Sequence, residues 1–202
     1  MPKTFLTADT HFGEPKERLT LMFRPITDPE KHNSTIIANW NSVVSPEDVV
    51  YHFGDFAYDK SLLTKDFVSQ LNGKITLIRG NHDTSSPELL KSLFSDVQDE
   101  VILKYQDFIF FCTHFPSRGK SEYWTITAHV HGNWRVQKNM INAGIDVWDF
   151  KPIEISVLPK VIEAIEKHYD NDIWAAYYES NTAHMDRGKP GNYAEKLNLE
   201  KL

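Results

Sequence analysis

Lys74-Ile75-Thr76-Leu77-Ile78-Arg79-Gly80-Asn81-His82-Asp83 joins a short β-branched run to a glycine and a polar cluster. An apolar run of this length, bounded by Gly and Asp, predicts a strand over 74–78. The same grammar occurs twice upstream. Thr4-Phe5-Leu6-Thr7-Ala8 runs into Asp9-Thr10-His11, and Asp48-Val49-Val50-Tyr51-His52-Phe53 runs into Gly54-Asp55. Helical segments separate these strands. Ser34 is read as the cap of a helix carrying Ile36, Ile37 and Trp40; Leu62, Leu63, Phe67 and Leu71 recur at near-helical spacing before Asn72-Gly73; and Pro87 to Phe94 reads as a third short helix. Strand, helix, strand, helix, strand implies right-handed crossovers and a parallel sheet covered on both faces.

From about residue 97 the pattern changes to strands joined by short turns: Val97–Lys104, Phe108–Thr113, Thr125–Ala128 and Lys138–Ala143, with Tyr105-Gln106-Asp107 as a hairpin turn. The expected fold is therefore an α/β sandwich whose second half is more antiparallel. Leu158, Val161, Ile162 and Ile165 form an apolar stripe at helical spacing, with Pro159 near the helix start. We expect a single domain over 1–168 and a C-terminal extension over 169–202, whose Trp174, Tyr177 and Tyr178 would pack on the domain or stay irregular.

Composition narrows the function classes. The 202 residues carry 22 Lys and Arg against 28 Asp and Glu, a formal charge of −6, which argues against binding extended nucleic acid. One cysteine, Cys112, excludes an intramolecular disulfide framework and a multi-thiolate zinc site; it lies within Phe108-Ile109-Phe110-Phe111-Cys112 and reads as buried filler. No apolar stretch reaches the ~18–20 residues of a membrane span, and the N-terminus shows no signal-peptide core, so a cytoplasmic protein is expected. Oligomeric state stays open.

The nine histidines are the unusual feature, because most sit in polar clusters where apolar runs end. Asp9-Thr10-His11 places two donors two residues apart, on one side of a strand end. Gly54-Asp55 adds a carboxylate with two oxygens, and Gly80-Asn81-His82-Asp83 adds an amide oxygen and a second histidine. Thr113-His114 and His129-Val130-His131 follow two later strands. Taken alone, Asp9-Thr10-His11 and Gly54-Asp55 read as ordinary turns, Gly80-Asn81-His82-Asp83 reads equally well as a turn, and His129-Val130-His131 reads as a ligand pair. Together they supply Asp9, His11, Asp55, Asn81, His114, His129 and His131, seven N and O donors at strand ends, where open α/β sheets gather ligands. Seven exceed one tetrahedral zinc and suit two ions sharing a carboxylate; without thiolate, the set fits Mn, Fe, Zn or Ni.

With these five clusters in this order, the sequence resembles the calcineurin-like metallophosphoesterases over residues 4 to about 155. Asn39-Trp40-Asn41, Tyr51-His52-Phe53-Gly54-Asp55-Phe56 and Gly144-Ile145-Asp146-Val147-Trp148 are similar to a compact bacterial and phage branch of that family. The resemblance implies a fold of two mixed sheets flanked by helices in α-β-β-α layers. It implies two divalent cations, with manganese the first expectation: Asp9, His11 and His131 on one, Asn81, His114 and His129 on the other, Asp55 bridging. It implies that His82 contacts the phosphate and protonates the leaving oxygen, oriented by Asp83, while a metal-activated hydroxide attacks in line. Two positions depart from the pattern: Ala128 precedes His129 where the motif has Gly, and Glu14 stands where near relatives have His.

Arg24, Arg79 and Arg135 are candidates for binding the substrate's distal part, Arg79 foremost because it adjoins Gly80-Asn81. His32, His168 and His184 lack motif context and read as surface or structural; His52 is read as support for the site. With no insertion large enough for a cap, the expected substrate is a small phosphoester, a diester or small nucleotide. The rival reading is a catalytically silent binding module on the same fold, which would tolerate lost ligands; here every ligand position and His82 are filled.

Overall fold

The structure is a computed structural model and describes residues 1–58 and 62–168. In chain order its elements are β1 (Thr4–Thr7), α1 (Lys16–Leu21), α2 (Pro29–Asn41), β2 (Val49–His52), α3 (Leu62–Val68), β3 (Lys74–Ile78), α4 (Pro87–Leu93), β4 (Asp96–Gln98), β5 (Glu100–Tyr105), β6 (Phe108–Thr113), β7 (Trp124–Thr127), β8 (Val136–Gln137), β9 (Met140–Asn142), β10 (Ile153–Glu154) and α5 (Leu158–His168). The first 157 residues form one compact unit, and α5 is the described part of a second. The expected extension over 169–202, with His184, lies outside the described residues.

Two five-stranded mixed sheets build the first unit, in the orders β10-β1-β2-β3-β4 and β5-β6-β7-β9-β8. In the first, β1 to β4 run parallel, with Leu6 beside Tyr51 and Tyr51 beside Thr76, while β10 pairs antiparallel with β1. In the second, β6, β7 and β9 run parallel, and β5 and β8 are antiparallel hairpin partners. Parallel pairing is what the helical crossovers require, and it brings the carboxyl ends of neighbouring strands to one edge.

Helix starts follow from capping. The Asp28 carboxylate accepts from the Lys31 N–H at 2.8 Å with Pro29 in the first turn, so α2 begins there and not at Ser34. Ser34 lies within the helix, its hydroxyl donating back to the Lys31 carbonyl. Ser86 and Pro87 start α4 by the same device. Ile36 and Trp40 of α2 and Leu90 of α4 are buried in one cluster with Phe5, Val50, Ile75 and Leu77 of the first sheet. Asn39-Trp40-Asn41 acts as a clasp. The Trp40 indole N–H donates to the Asn72 carbonyl at 2.9 Å, and the Asn41 side-chain oxygen accepts from the Asn72 N–H at 2.9 Å, fixing the turn that launches β3.

Three further expectations are corrected. The run Val97–Lys104 is two strands in different sheets: β4 ends at Gln98, and after Asp99 β5 begins the second sheet. The expected strand Lys138–Ala143 is shorter, Met140–Asn142, because Lys138 adopts φ 53° in the turn that leads β8 back along β9. Helix α3 stops at Val68, short of Leu71. The α1 helix was not anticipated.

The two sheets meet where the polar clusters lie. Ala8, just past β1, bridges to Gly144, just past β9. The His114 ring nitrogen Nδ1 donates to the Phe53 carbonyl at 2.6 Å, tying the end of β6 to the end of β2.

Candidate metal centre

Asp9, His11, Asp55, His129 and His131 all have left-handed backbone, with φ of 54°, 47°, 55°, 73° and 48°. A non-glycine residue in that region is disfavoured by roughly 1–2 kcal/mol, so the surroundings must impose it. They do so through a ladder between the first two loops: the Asp9 N–H donates to the Gly54 carbonyl at 3.0 Å, that of His11 to Asp55 at 3.0 Å, and that of Phe12 to Phe56 at 2.9 Å. The Asp9 carboxylate in turn accepts from the His129 N–H, drawing in the second sheet.

The side chains form two groups, Asp9 with His11 and His131, and Asp55 with His114 and His129, the donor atoms of each within 4.8 Å of one another. Asp55 Oδ2 stands between the groups, 3.7 Å from His11 Nε2 and 3.5 Å from His114 Nε2. Its other oxygen accepts from the His82 N–H at 2.8 Å, which sets the carboxylate's orientation. Asn81 joins the second group, its Oδ1 lying 3.2 Å from His114 Nε2.

These residues fit divalent cations. The His11 Nδ1–H is committed to Glu14 Oε1 at 2.8 Å, which leaves Nε2 with a lone pair, buried and without a hydrogen-bond partner. Likewise the His114 Nδ1–H serves Phe53, and Nε2 faces Asp55, Asn81 and His129. His114 Nε2 and His129 Nδ1 approach to 3.2 Å, two nitrogens that a cation between them would reconcile. Burial pushes Asp9 up to about 8, against the pull of His131, so its carboxylate is fully charged at neutral pH only beside compensating positive charge. Burial, reinforced by Arg24, holds His11 well below the ordinary imidazole range, and burial also lowers His114; both thereby stay in the neutral, ligating form. For His131, burial acts downward but is outweighed by the hydrogen bond to Asp146 and the charge of Asp9, and its pKa is raised.

The His82 ring is half-buried and stands edge-on to the His11 ring, centroids 5.1 Å apart. Asp83 is placed differently from the expectation that it orients His82. Its carboxylate accepts from three backbone amides, Asp55 and Gly80 at 2.8 Å and Phe56 at 3.0 Å, and so pins the loop after β3 to the loop after β2. This packing is close. A β-carbon on Gly80 would lie 2.2 Å from Asp55 Oδ1 and 2.8 Å from His114 Cε1.

The arginines are also occupied. Arg24 is buried, donates to both Asp146 oxygens at 2.9 Å, and contacts His32 Nε2 and the Asp9 and Thr10 carbonyls, so it braces the site. Arg79 pairs with Asp99 on the surface, and Arg135 donates to the Val147 carbonyl with its guanidinium over the Trp148 ring. His52 Nε2–H donates to Thr10 Oγ1 at 2.9 Å within the core, the Thr10 hydroxyl itself donating to the Phe56 carbonyl, and His32 is buried, not superficial. Two supporting residues escaped the sequence reading. Asp146 holds His131 Nδ1 at 3.3 Å, and Glu14, read above only as a departure, holds His11. For Glu14 the signal was its i+3 spacing from His11; for Asp146 only the Gly144–Trp148 match hinted at a role.

Two sheets whose strand ends converge on two His/Asp donor groups form a candidate metal centre of the kind a metal-dependent phosphoesterase uses. The chain belongs to the calcineurin-like phosphoesterase family, whose profile matches residues 2–175. It is 30% identical over 175 residues to an uncharacterized protein of Methanocaldococcus jannaschii, covering 81% of this chain and 93% of that one. It is 32% identical over 90 residues to the gene 66 protein of Mycobacterium phage L5, covering 43% of this chain and 42% of that protein. A crystal structure of a protein of unknown function from Aquifex aeolicus shares the fold, with a TM-score of 0.65 and 24% identity, over 80% of this chain and 100% of that one. Among the described residues no helix is long and apolar enough to cross a membrane.

Proposed function

We propose that this protein hydrolyses small phosphoesters, phosphodiesters or small nucleotides, with manganese the first-choice metal. The observation that carries the proposal is Asp55 Oδ2, shared at 3.7 and 3.5 Å between His11 Nε2 and His114 Nε2 and so able to bridge two cations. Asp9, His11 and His131 would hold one ion, Asn81, His114 and His129 the other. Two cations so held supply charge neutralisation to the phosphoryl oxygens and lower the pKa of water at the site.

The remaining roles belong to the chain. Glu14, Asp146 and the Phe53 carbonyl hold the ring N–H of His11, His131 and His114, and each fixes the tautomer that leaves the opposite nitrogen free to ligate. The His82 backbone N–H sets Asp55, and its half-buried ring is the proton donor to the leaving oxygen. Asp83 keeps the His82 and Asp55 loops in register.

The test uses metal-stripped protein on bis-p-nitrophenyl phosphate and p-nitrophenyl phosphate, with Mn²⁺, Ni²⁺, Zn²⁺ or Mg²⁺ restored. Turnover should return with metal, and the diester-to-monoester ratio then narrows the substrate class. His82→Ala should lower kcat by about 10²–10⁴ with metal still bound, and Asp55→Asn should lose both metal and turnover. Two bound metals with no turnover on any phosphoester would favour the binding-module reading instead.

A further inference from the structure

Phe23 sits where a glycine would be cheapest. Helix α1 closes in a complete Schellman motif, with the Phe23 N–H donating to the Thr20 carbonyl at 3.0 Å and the Arg24 N–H to the Leu19 carbonyl at 3.1 Å. That motif puts Phe23 at φ 56°, the left-handed position glycine usually fills, yet the residue is a large apolar side chain that is 94% exposed. Neither the local backbone nor the core accounts for it. The loop that presents it is fixed, because the next residue, Arg24, is buried against Asp146 and the Asp9 carbonyl.

Phe23 lines a cavity of about 790 Å³, together with Leu21, Met22 and Phe150 on its walls and His129 and His131 of the donor groups. This size is typical of small-molecule sites. Also lining the cavity, Asp149 and Phe150 are again left-handed non-glycine residues, with φ of 54° and 56°. Phe150 packs against the core cluster, so that wall is rigid. The polar lining includes Asp146 and Asp149 but no lysine or arginine, which disfavours a second phosphate there and favours an uncharged group.

We propose that this cavity receives the organic group of the phosphoester, that the group is an uncharged planar ring, aryl or nucleobase, and that Phe23 is the specificity residue that stacks on it. The proposal rests on the phosphoesterase reading above: a phosphoryl group on the His129 and His131 side places its ester substituent between Phe23 and Phe150. The left-handed strain at Phe23 is the cost of presenting that ring.

Phenylphosphonate and methylphosphonate share a phosphoryl head and differ by the ring, and neither is hydrolysed, so their affinities for the Mn²⁺-loaded protein isolate the ring contact. Calorimetry should show phenylphosphonate binding about 3- to 10-fold more tightly, the range for one aromatic contact. Phe23→Gly should bring the ratio of the two dissociation constants toward one, and Phe23→Tyr should keep it. Because glycine relieves the positive φ, Phe23→Gly should also raise Tm by roughly 2–4 °C, so that loss of the ratio is not a folding defect. Equal affinities in the wild type, no binding of either ligand, or an unchanged ratio in Phe23→Gly would overturn the proposal. So would a dimer in sedimentation that Phe23→Gly dissociates while the ratio stays. Bis-p-nitrophenyl phosphate turnover, measured alongside, separates the two levels: turnover with equal affinities sinks the ring site alone, whereas a metal-loaded wild type without turnover sinks the phosphoesterase reading.

Discussion

Glu14 offers a test of how the donor groups are held. Its carboxylate is fully buried, with Oε1 2.8 Å from His11 Nδ1 and Oε2 2.8 Å from Arg18 Nε. Removing it by Glu14→Ala strips the acceptor from a buried ring N–H, at about 1–3 kcal/mol, and frees the His11 tautomer and ring orientation. Loss of an outer-shell carboxylate of this type lowers metal affinity by about 10–100-fold, or roughly 1.4–2.7 kcal/mol. The Arg18 side chain is 40% exposed, so losing that arm adds no more than about 1 kcal/mol. The effect should be one-sided. His11 belongs with Asp9 and His131, whereas His114 takes its orientation from the Phe53 carbonyl, which Glu14 does not touch. Chelator-competition titration should therefore show one of two binding events weakened 10–100-fold and the other changed less than about threefold. Glu14→Gln, which keeps a neutral acceptor, should fall between. Equal weakening of both events would mean that Glu14 acts through the fold at large, and an unchanged first event would refute the orienting role.

Other outcomes follow from the same contacts. Gly80→Ala places a methyl 2.2 Å from Asp55 Oδ1; overpacking of about 1–3 kcal/mol should lower Tm by roughly 3–10 °C and abolish binding at both sites, and a variant that still binds two metals normally would contradict it. Asp83→Ala removes the acceptor of three amides and should cost about 3 kcal/mol in denaturant unfolding. A fall in kcat without loss of stability would instead favour Asp83 as the partner of the His82 ring. Burial and the Arg24 charge push His32 down to about 4, from an ordinary 6.5. The unfolded chain thus binds a proton that the folded chain refuses. Stability is full above pH 6.5 and falls as pH drops toward 4, by up to about 3 kcal/mol. His32→Gln keeps an acceptor for Arg24 and should flatten the decline of Tm between pH 6.5 and 5; an unaltered slope would assign the decline to other groups.

The candidate ligands were legible because each is a distinctive residue type placed by local pattern at a strand end. No single cluster was enough; the five in order brought Asp9, His11, Asp55, Asn81, His114, His129 and His131 together. Sheet membership was not local in that way. The residues on either side of Asp99 alternate alike, yet β4 continues the first sheet and β5 begins the second, a choice made by partners far along the chain. The start of α2 shows the same limit on a smaller scale, since Asp28-Pro29 and Ser34 are both good local signals and only the former lies where the helix can begin.

The bracing residues were hidden for a physical reason that also explains their arrangement. Five of the candidate ligand residues hold left-handed backbone, a conformation that non-glycine residues adopt at some cost and that the surroundings here impose. What holds them is long-range: Arg24 reaches the Asp9 carbonyl and Asp146, 122 residues further on, and Asp83 spans 28 residues to the amide of Asp55. Arg24 carries no periodicity and no motif, because its partner Asp146 is brought to it only when the two sheets have met; Asp83 lies in a motif, but its amide partners come from the neighbouring loop of the first sheet. Asp83 therefore read as a partner for His82, its neighbour in sequence, whereas its carboxylate is spent on amides that are its neighbours in space. The strain at the ligands and the illegibility of their supports have one origin. A site assembled from the ends of two sheets needs atoms in positions that short-range preferences oppose, and only contacts made by the completed fold can supply that restraint.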